Sequence, residues 1–186
     1  MERIRYKEFT DYDDALKGFT DYRKKLNDYI ENNPDKFLET FRDIKERAGR
    51  GDVICMDVLA YYYKSGVPEL LPENYNLYLK WEIISAARGN ELAIEKLQFL
   101  LGYAYSQIMQ CDDYSTIVYK NDIEDWNIVY VIGKAICKML VKELKLFPSD
   151  LAREKDVKAP YTQEDFIIFR KNVDDIIPKT IDYMKS

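Results

Sequence analysis

The chain has 186 residues, of which 47% are hydrophobic and 33% charged, and its formal net charge is −5. This is the balance of an ordinary globular protein, long enough for one domain with a sizeable core, and a single domain over residues 1–186 is expected. The absence of histidine excludes Ser-His-Asp and Cys-His catalysis, histidine-ligated metals and imidazole acid–base work, and the mild acidity argues against general nucleic-acid binding, which relies on basic surface.

The opening segment, MERIRYKEF, has no apolar core and no cleavage pattern, so no secretory signal is expected. Helical periodicity then dominates. Tyr12, Ala15, Leu16, Phe19, Tyr22, Leu26, Tyr29 and Ile30 form the first stripe. Asn33-Pro34 starts a second helix, with proline at its first position, and Phe37, Leu38, Phe41, Ile44 and Ala48 continue it. Two short helices are predicted near 53–65 and 74–88, then a longer one from about Glu91 to Gln110. Cys111 to Asp122 reads as a connection. Trp126 to Phe147 is predicted as a long, central helix, apolar over most of its circumference and stopped by Pro148. Leu151 to Pro160 is a charged linker, and Thr162 with Asp165 makes a capping-box start for the last helix. That helix turns Phe166, Phe169, Val173, Ile177, Ile181 and Met184 inward, with a kink or break near Pro178. No strand pair and no Asn-Gly or Asp-Gly hairpin turn is found. The apolar run from Ile128 to Val141 is interrupted by Lys134 and Lys138 and is too short to span a bilayer, so no membrane contact is expected.

An internal period runs through the middle of the chain. Gly51-Asp52 recurs as Gly89-Asn90, and around these pairs Arg50 matches Arg88, Ala48 matches Ala86, Cys55 matches Ala93 and Leu59 matches Leu97. A period in the range of roughly 20–50 residues marks helical repeats. Each glycine is expected to end one helix in the left-handed conformation, and Asp52 and Asn90 to cap the next. Trp81 is expected to fill the space between the two repeat helices.

The positions Cys55, Leu59, Ala60, Tyr63 and Gly66, followed by Trp81, Ser85, Ala86, Gly89 and Ala93, resemble the Sel1-like repeat, a relative of the tetratricopeptide repeat. The family pattern is roughly A-x3-L-G-x2-Y-x2-G, a variable loop, then W-x3-A-A-x2-G-x3-A. Here Cys55 stands for the first alanine, Ala60 for the glycine and Ser85 for an alanine. Gly66-Val67 and Glu73 suit the loop, whereas Pro68 to Pro72 departs from it. The resemblance covers residues 47–97. It implies an all-α fold of antiparallel helix pairs, a solenoid core with extra helices at both ends, whose structural positions are Gly51, Leu59, Tyr63, Gly66, Trp81, Ala86, Gly89 and Ala93.

No motif names a reaction. Neither G-x-x-x-x-G-K-[ST] nor G-x-G-x-x-G occurs. Acid pairs at Asp13-Asp14, Asp112-Asp113, Glu124-Asp125 and Asp174-Asp175 suit solvated surface and helix starts. A carboxylate pair for glycoside chemistry is set by distance in space and stays open as an alternative. The three cysteines form no C-x-x-C pair and suit reduced thiols in the cytoplasm. No catalytic residue, cofactor or metal site is therefore expected. Lys134, Lys138, Lys142 and Lys145 lie on one helical ridge, either a contact for phosphate or an acidic partner, or simply the solvated face of a buried helix.

Charge is uneven. Residues 51–133 hold five Lys/Arg and twelve Asp/Glu, a local net of −7, against 23 basic and 21 acidic elsewhere. The chain holds sixteen tyrosines, several of them beside acids, as at Tyr12, Tyr75 and Tyr114, and tyrosine is enriched at interfaces. The function expected is a non-catalytic protein-binding module. Its most concrete form is a small cytoplasmic inhibitor, such as an immunity protein, that neutralises a basic toxin such as a nuclease. The expected partner is a basic protein, not nucleic acid or a membrane. The expected contact residues are Asp57, Tyr61, Asp112, Asp113, Tyr114, Asp122, Glu124 and Asp125, with Asp57, Tyr61 and Lys64 on the outer face of their helix. A bacterial signalling adaptor or scaffold, and an enzyme using a carboxylate pair, are the alternatives.

Overall fold

The computed structural model describes residues 12–112, 128–158 and 162–186. Among these the chain is all-helical, with no strand. The described residues form nine α-helices: α1 (Tyr12–Asn32), α2 (Phe37–Gly49), α3 (Val53–Ser65), α4 (Tyr75–Ala87), α5 (Glu91–Lys96), α6 (Gln98–Met109), α7 (Ile128–Glu143), α8 (Pro148–Leu151) and α9 (Gln163–Lys185). A 3-10 turn, Pro34–Lys36, leads into α2, as the Asn33-Pro34 start predicts. The chain forms two compact units, Met1–Trp81 with Phe147–Pro160, and Glu82–Leu146 with Tyr161–Ser186.

In the first unit α2 packs against α3 and α8. Phe37 and Phe41 stack at 5.5 Å, and the edges of Tyr62 and Tyr63 meet them. Tyr22 and Leu26 of α1 are buried in the same unit. Arg47, near the end of α2, reaches the Tyr22 hydroxyl at 3.2 Å and the Asp52 carboxylate at 2.7 Å. Trp81 is fully buried.

The second unit packs α9 on α6 and α7, with α5 beside α7. Leu100, Leu101, Ala104 and Ile108 face inward from α6, and Ile132, Ile136, Cys137 and Leu140 from α7. Gly133 sits at a tight contact. A Cβ there would stand 2.6 Å from both Ile94 Cγ2 and the Tyr105 hydroxyl, far inside ordinary contact distance, so a larger residue would have to displace one of them.

The two glycine turns have one geometry. Gly51 has φ 104 and Gly89 φ 91. Gly51 donates to Ala48 and Gly89 to Ala86, each at 2.9 Å; Asp52 donates to Arg47 and Asn90 to Ser85, each at 3.1 Å. These are the paired hydrogen bonds that satisfy the orphan carbonyls at a helix end. Asp52 then caps α3 through Cys55 N–H, and Asn90 caps α5 through Leu92 and Ala93 N–H.

Several boundaries differ from the sequence reading. The helix expected from Glu91 to Gln110 is two helices, α5 and α6, joined at Leu97, whose ψ of 1 leaves the helical range. Leu97 is wholly buried, and packing overrides its helix propensity. Pro148 does not stop the long helix. That helix ends at Glu143, where Lys145 takes φ 52 and Leu146 N–H returns to the Val141 carbonyl. A lysine here holds the left-handed position more usual for glycine. Pro148 instead opens α8. The capping box of Thr162 and Asp165 forms as expected, and α9 continues through Pro178 without a break. Its buried positions are Val173, Ile176, Thr180 and Met184, so Ile177 and Ile181 sit at the edge of the stripe. Cys55 and Cys137 are buried and unpaired as disulfides, and Cys111 is half-buried. None of the described helices is long and apolar enough to cross a membrane.

Candidate interaction surfaces

Five of the eight structural positions that the resemblance implies are interior. Leu59, Tyr63, Trp81, Ala86 and Ala93 have no exposed surface. Gly66 takes φ 65 and a Cβ there would press on Glu73 and the Leu71 carbonyl.

The expected contact residues divide. Asp57 is not on an outer face: it is 1% exposed, among Ile54, Cys55, Met56, Val58, Leu59, Ala60, Tyr62 and Tyr63. The expectation assumed one inward stripe, whereas α3 is enclosed almost all round and turns only its C-terminal end, at Lys64 and Ser65, fully outward. Tyr61 is half-buried, with the Arg23 guanidinium 4.7 Å above its ring and Tyr62 against its edge. Asp112 is exposed just after α6. Asp113, Tyr114, Asp122, Glu124 and Asp125 lie outside the described residues.

Two other acids of the −7 stretch, Asp52 and Glu82, serve structure. Asp52 caps a helix and pairs with Arg47. Glu82 is fully buried, 3.2 Å from Lys96. Glu95 is exposed and Glu91 half-buried. Burial raises the Glu91 carboxyl above its ordinary value. Both carboxylates act on Tyr130, whose phenol is raised first by burial and then by them.

Lys134, Lys138, Lys142 and Lys145 are all exposed. Lys138 lies 5.8 Å over the Tyr183 ring and 3.3 Å from its hydroxyl. Lys134, Lys138 and Lys142 thus line the solvent side of α7, opposite its buried face, whereas Lys145 lies past the end of that helix.

A feature without any local sequence signal lies in the first unit. The segment after α8 is clamped by side chains distant in the chain. Lys45 donates to Asp156 at 2.8 Å and to the Glu154 carbonyl at 3.0 Å. The Tyr63 hydroxyl also donates to Asp156, Asn74 to the Val157 carbonyl at 2.7 Å, and Lys80 pairs with Glu154 at 3.0 Å. Burial, then the Asp156 bond, pushes the Tyr63 phenol far above its ordinary range. Between this segment and α2 runs a groove of about 640 Å³. Its α2 wall is one helical stripe from Leu38 to Arg50, and its far wall is Ser149, Ala152, Arg153 and Asp156. The stripe could be read as helix periodicity, but only the fold brings the second wall to it.

Among the described residues no three His, Cys, Asp or Glu side chains gather to hold a metal. A scan against protein-family profiles, a search of curated proteins and a search of solved structures each find no match to this chain.

Proposed function

We propose that the chain is a non-catalytic protein-binding module built on a Sel1-like helical repeat. In its most concrete form it is a small cytoplasmic inhibitor, such as an immunity protein, that neutralises a basic toxin such as a nuclease. The observation that carries the reading is the concentration of carboxylates over residues 51–133, a local net of −7, from which Glu95 and Asp112 stand exposed. Acidic surface of this kind steers a basic partner into encounter and suppresses acidic competitors. The matched turns at Gly51-Asp52 and Gly89-Asn90 support the repeat. In this reading Tyr61, Asp112, Asp113, Tyr114, Asp122, Glu124 and Asp125 form the contact surface, and Asp57 belongs to the core.

Affinity capture with the full chain from its native cell, read by mass spectrometry, tests the proposal. A stoichiometric basic protein supports it. Stoichiometric nucleic acid, or an acidic protein held through the lysine ridge, removes it.

A further inference from the structure

The groove beside α2 has the length, charge and exposed apolar surface of a peptide site. Leu38, Phe41, Lys45 and Gly49 line its wall, with Arg42, Glu46 and Arg50 beside them on the same face. From position 38 to 50 this face is about 18 Å long at the helical rise. An extended peptide of roughly five residues covers that distance. The groove is therefore elongated, with one apolar end, where Leu38 is 55% exposed.

Its charges are not balanced. Lys45 is committed to Asp156, and Arg50 lies 3.6 Å from Glu46. That leaves Arg42 and Arg153, both exposed on the groove and both without an ion-pair partner among the described residues. Two free guanidinium groups beside an apolar surface favour a ligand with carboxylates and an apolar side chain, since arginine matches a carboxylate with two parallel hydrogen bonds. The wall opposite α2 is fixed by Lys45, Tyr63, Asn74 and Lys80, so this part of the site is held before a ligand arrives.

We infer that this groove binds an acidic peptide segment of a partner protein, with its carboxylates on Arg42 and Arg153 and an apolar side chain against Leu38. The inference does not rest on the inhibitor reading, which places a basic partner on acids elsewhere in the chain, and each fails or stands without the other.

The test is selection of a random dodecapeptide display library on the full chain. Selected peptides are then measured by fluorescence anisotropy against Arg42→Glu, Arg153→Glu and the double variant. Lys171→Glu, exposed on α9, is the control for net charge. Because the whole chain is acidic, its general field works against acidic peptides, so their enrichment reports a local site. The expected result is enrichment of Asp and Glu around an apolar residue. Each groove variant weakens binding about tenfold, the double variant abolishes it, and Lys171→Glu leaves it unchanged. All variants keep the parent's circular dichroism melt. No selected peptide, selection without acidic enrichment, equal binding to the double variant, equal loss with Lys171→Glu, or tighter competition by single-stranded DNA overturns the inference.

Discussion

Arg47 and Asp52 hold three helices together with one ion pair. The Asp52 carboxylate caps α3 through one oxygen, at 3.1 Å from Cys55 N–H, and accepts Arg47 on the other at 2.7 Å. Arg47 sits on α2 and also donates to Tyr22 on α1. The pair is largely enclosed, with side-chain exposures of 9% and 25%. Removing one partner leaves the other charge poorly solvated. Asp52→Ala is therefore expected to lose about 3–5 kcal/mol. Asp52→Asn keeps the cap and should be the milder variant by about 1 kcal/mol. Urea unfolding of both checks the order, and equal losses would mean that the cap contributes nothing.

Three glycines should respond with different signs. Gly133→Ala forces a Cβ into Ile94 and Tyr105, and overpacking of this kind costs about 1–3 kcal/mol. Gly89→Val has room beside Lys134 but must hold φ 91, which a β-branched side chain resists, so it too destabilises. Gly102 lies inside α6 with nothing within 4 Å of a Cβ. Gly102→Ala is expected to stabilise by about 0.5–1 kcal/mol. Thermal melts of the three variants decide this, and a stable Gly133→Ala would contradict the packing described.

Trp81 has no exposed surface, and Trp81→Ala is expected to cost about 3–5 kcal/mol. If both Trp81→Ala and Gly89→Val melt within a degree or two of the parent, the alignment of the internal repeat is wrong.

The buried thiols and phenols give a prediction about pH. Burial is the main cause that holds Cys55 and Cys137 well above the ordinary thiol range, so neither offers a thiolate at neutral pH. Cys111 alone should react with a thiol reagent in the folded chain, and all three in denaturant. Burial also raises Tyr22, Tyr63 and Tyr105, and takes Tyr62 to about 12. A raised folded pKa contributes stability that is complete below the unfolded value, about 10, and is lost as pH rises through the folded value. Stability should therefore fall above about pH 10, and these four phenols should ionise together with unfolding. Phenolate absorbance developing from all four while the helical spectrum persists would contradict it.

The sequence carried the fold class well, because a helix is written in local spacing. The Asn33-Pro34 start, the Thr162 capping box and both glycine turns depend on residues within a few positions of one another. What was illegible depends on enclosure. Asp57 reads as an outer residue from the stripe of Leu59 and Tyr63, yet α3 is wrapped on nearly all sides. Leu97 breaks a helix although no glycine or proline marks the place, and Lys145 ends one in a conformation usually left to glycine. Of the candidate residues, Asp112 is exposed, while Arg42 and Arg153 carry no sequence signal as a pair because 111 residues separate them and only the packing of α8 on α2 unites them.

The most direct test of the proposed acidic binding surface is the association rate of a basic partner obtained by the affinity capture, measured at low and physiological salt. The Asp112→Asn, Asp113→Asn and Asp125→Asn variant is compared with charge reversal of Lys134, Lys138 and Lys142. Steering by exposed charge is screened beyond about 8 Å at physiological ionic strength. The acidic variant is expected to stay folded, lose association rate and lose most of its salt dependence, while the lysine variant binds at the parent rate. An unchanged acidic variant with a slowed lysine variant would contradict it and move the contact to the exposed ridge of α7.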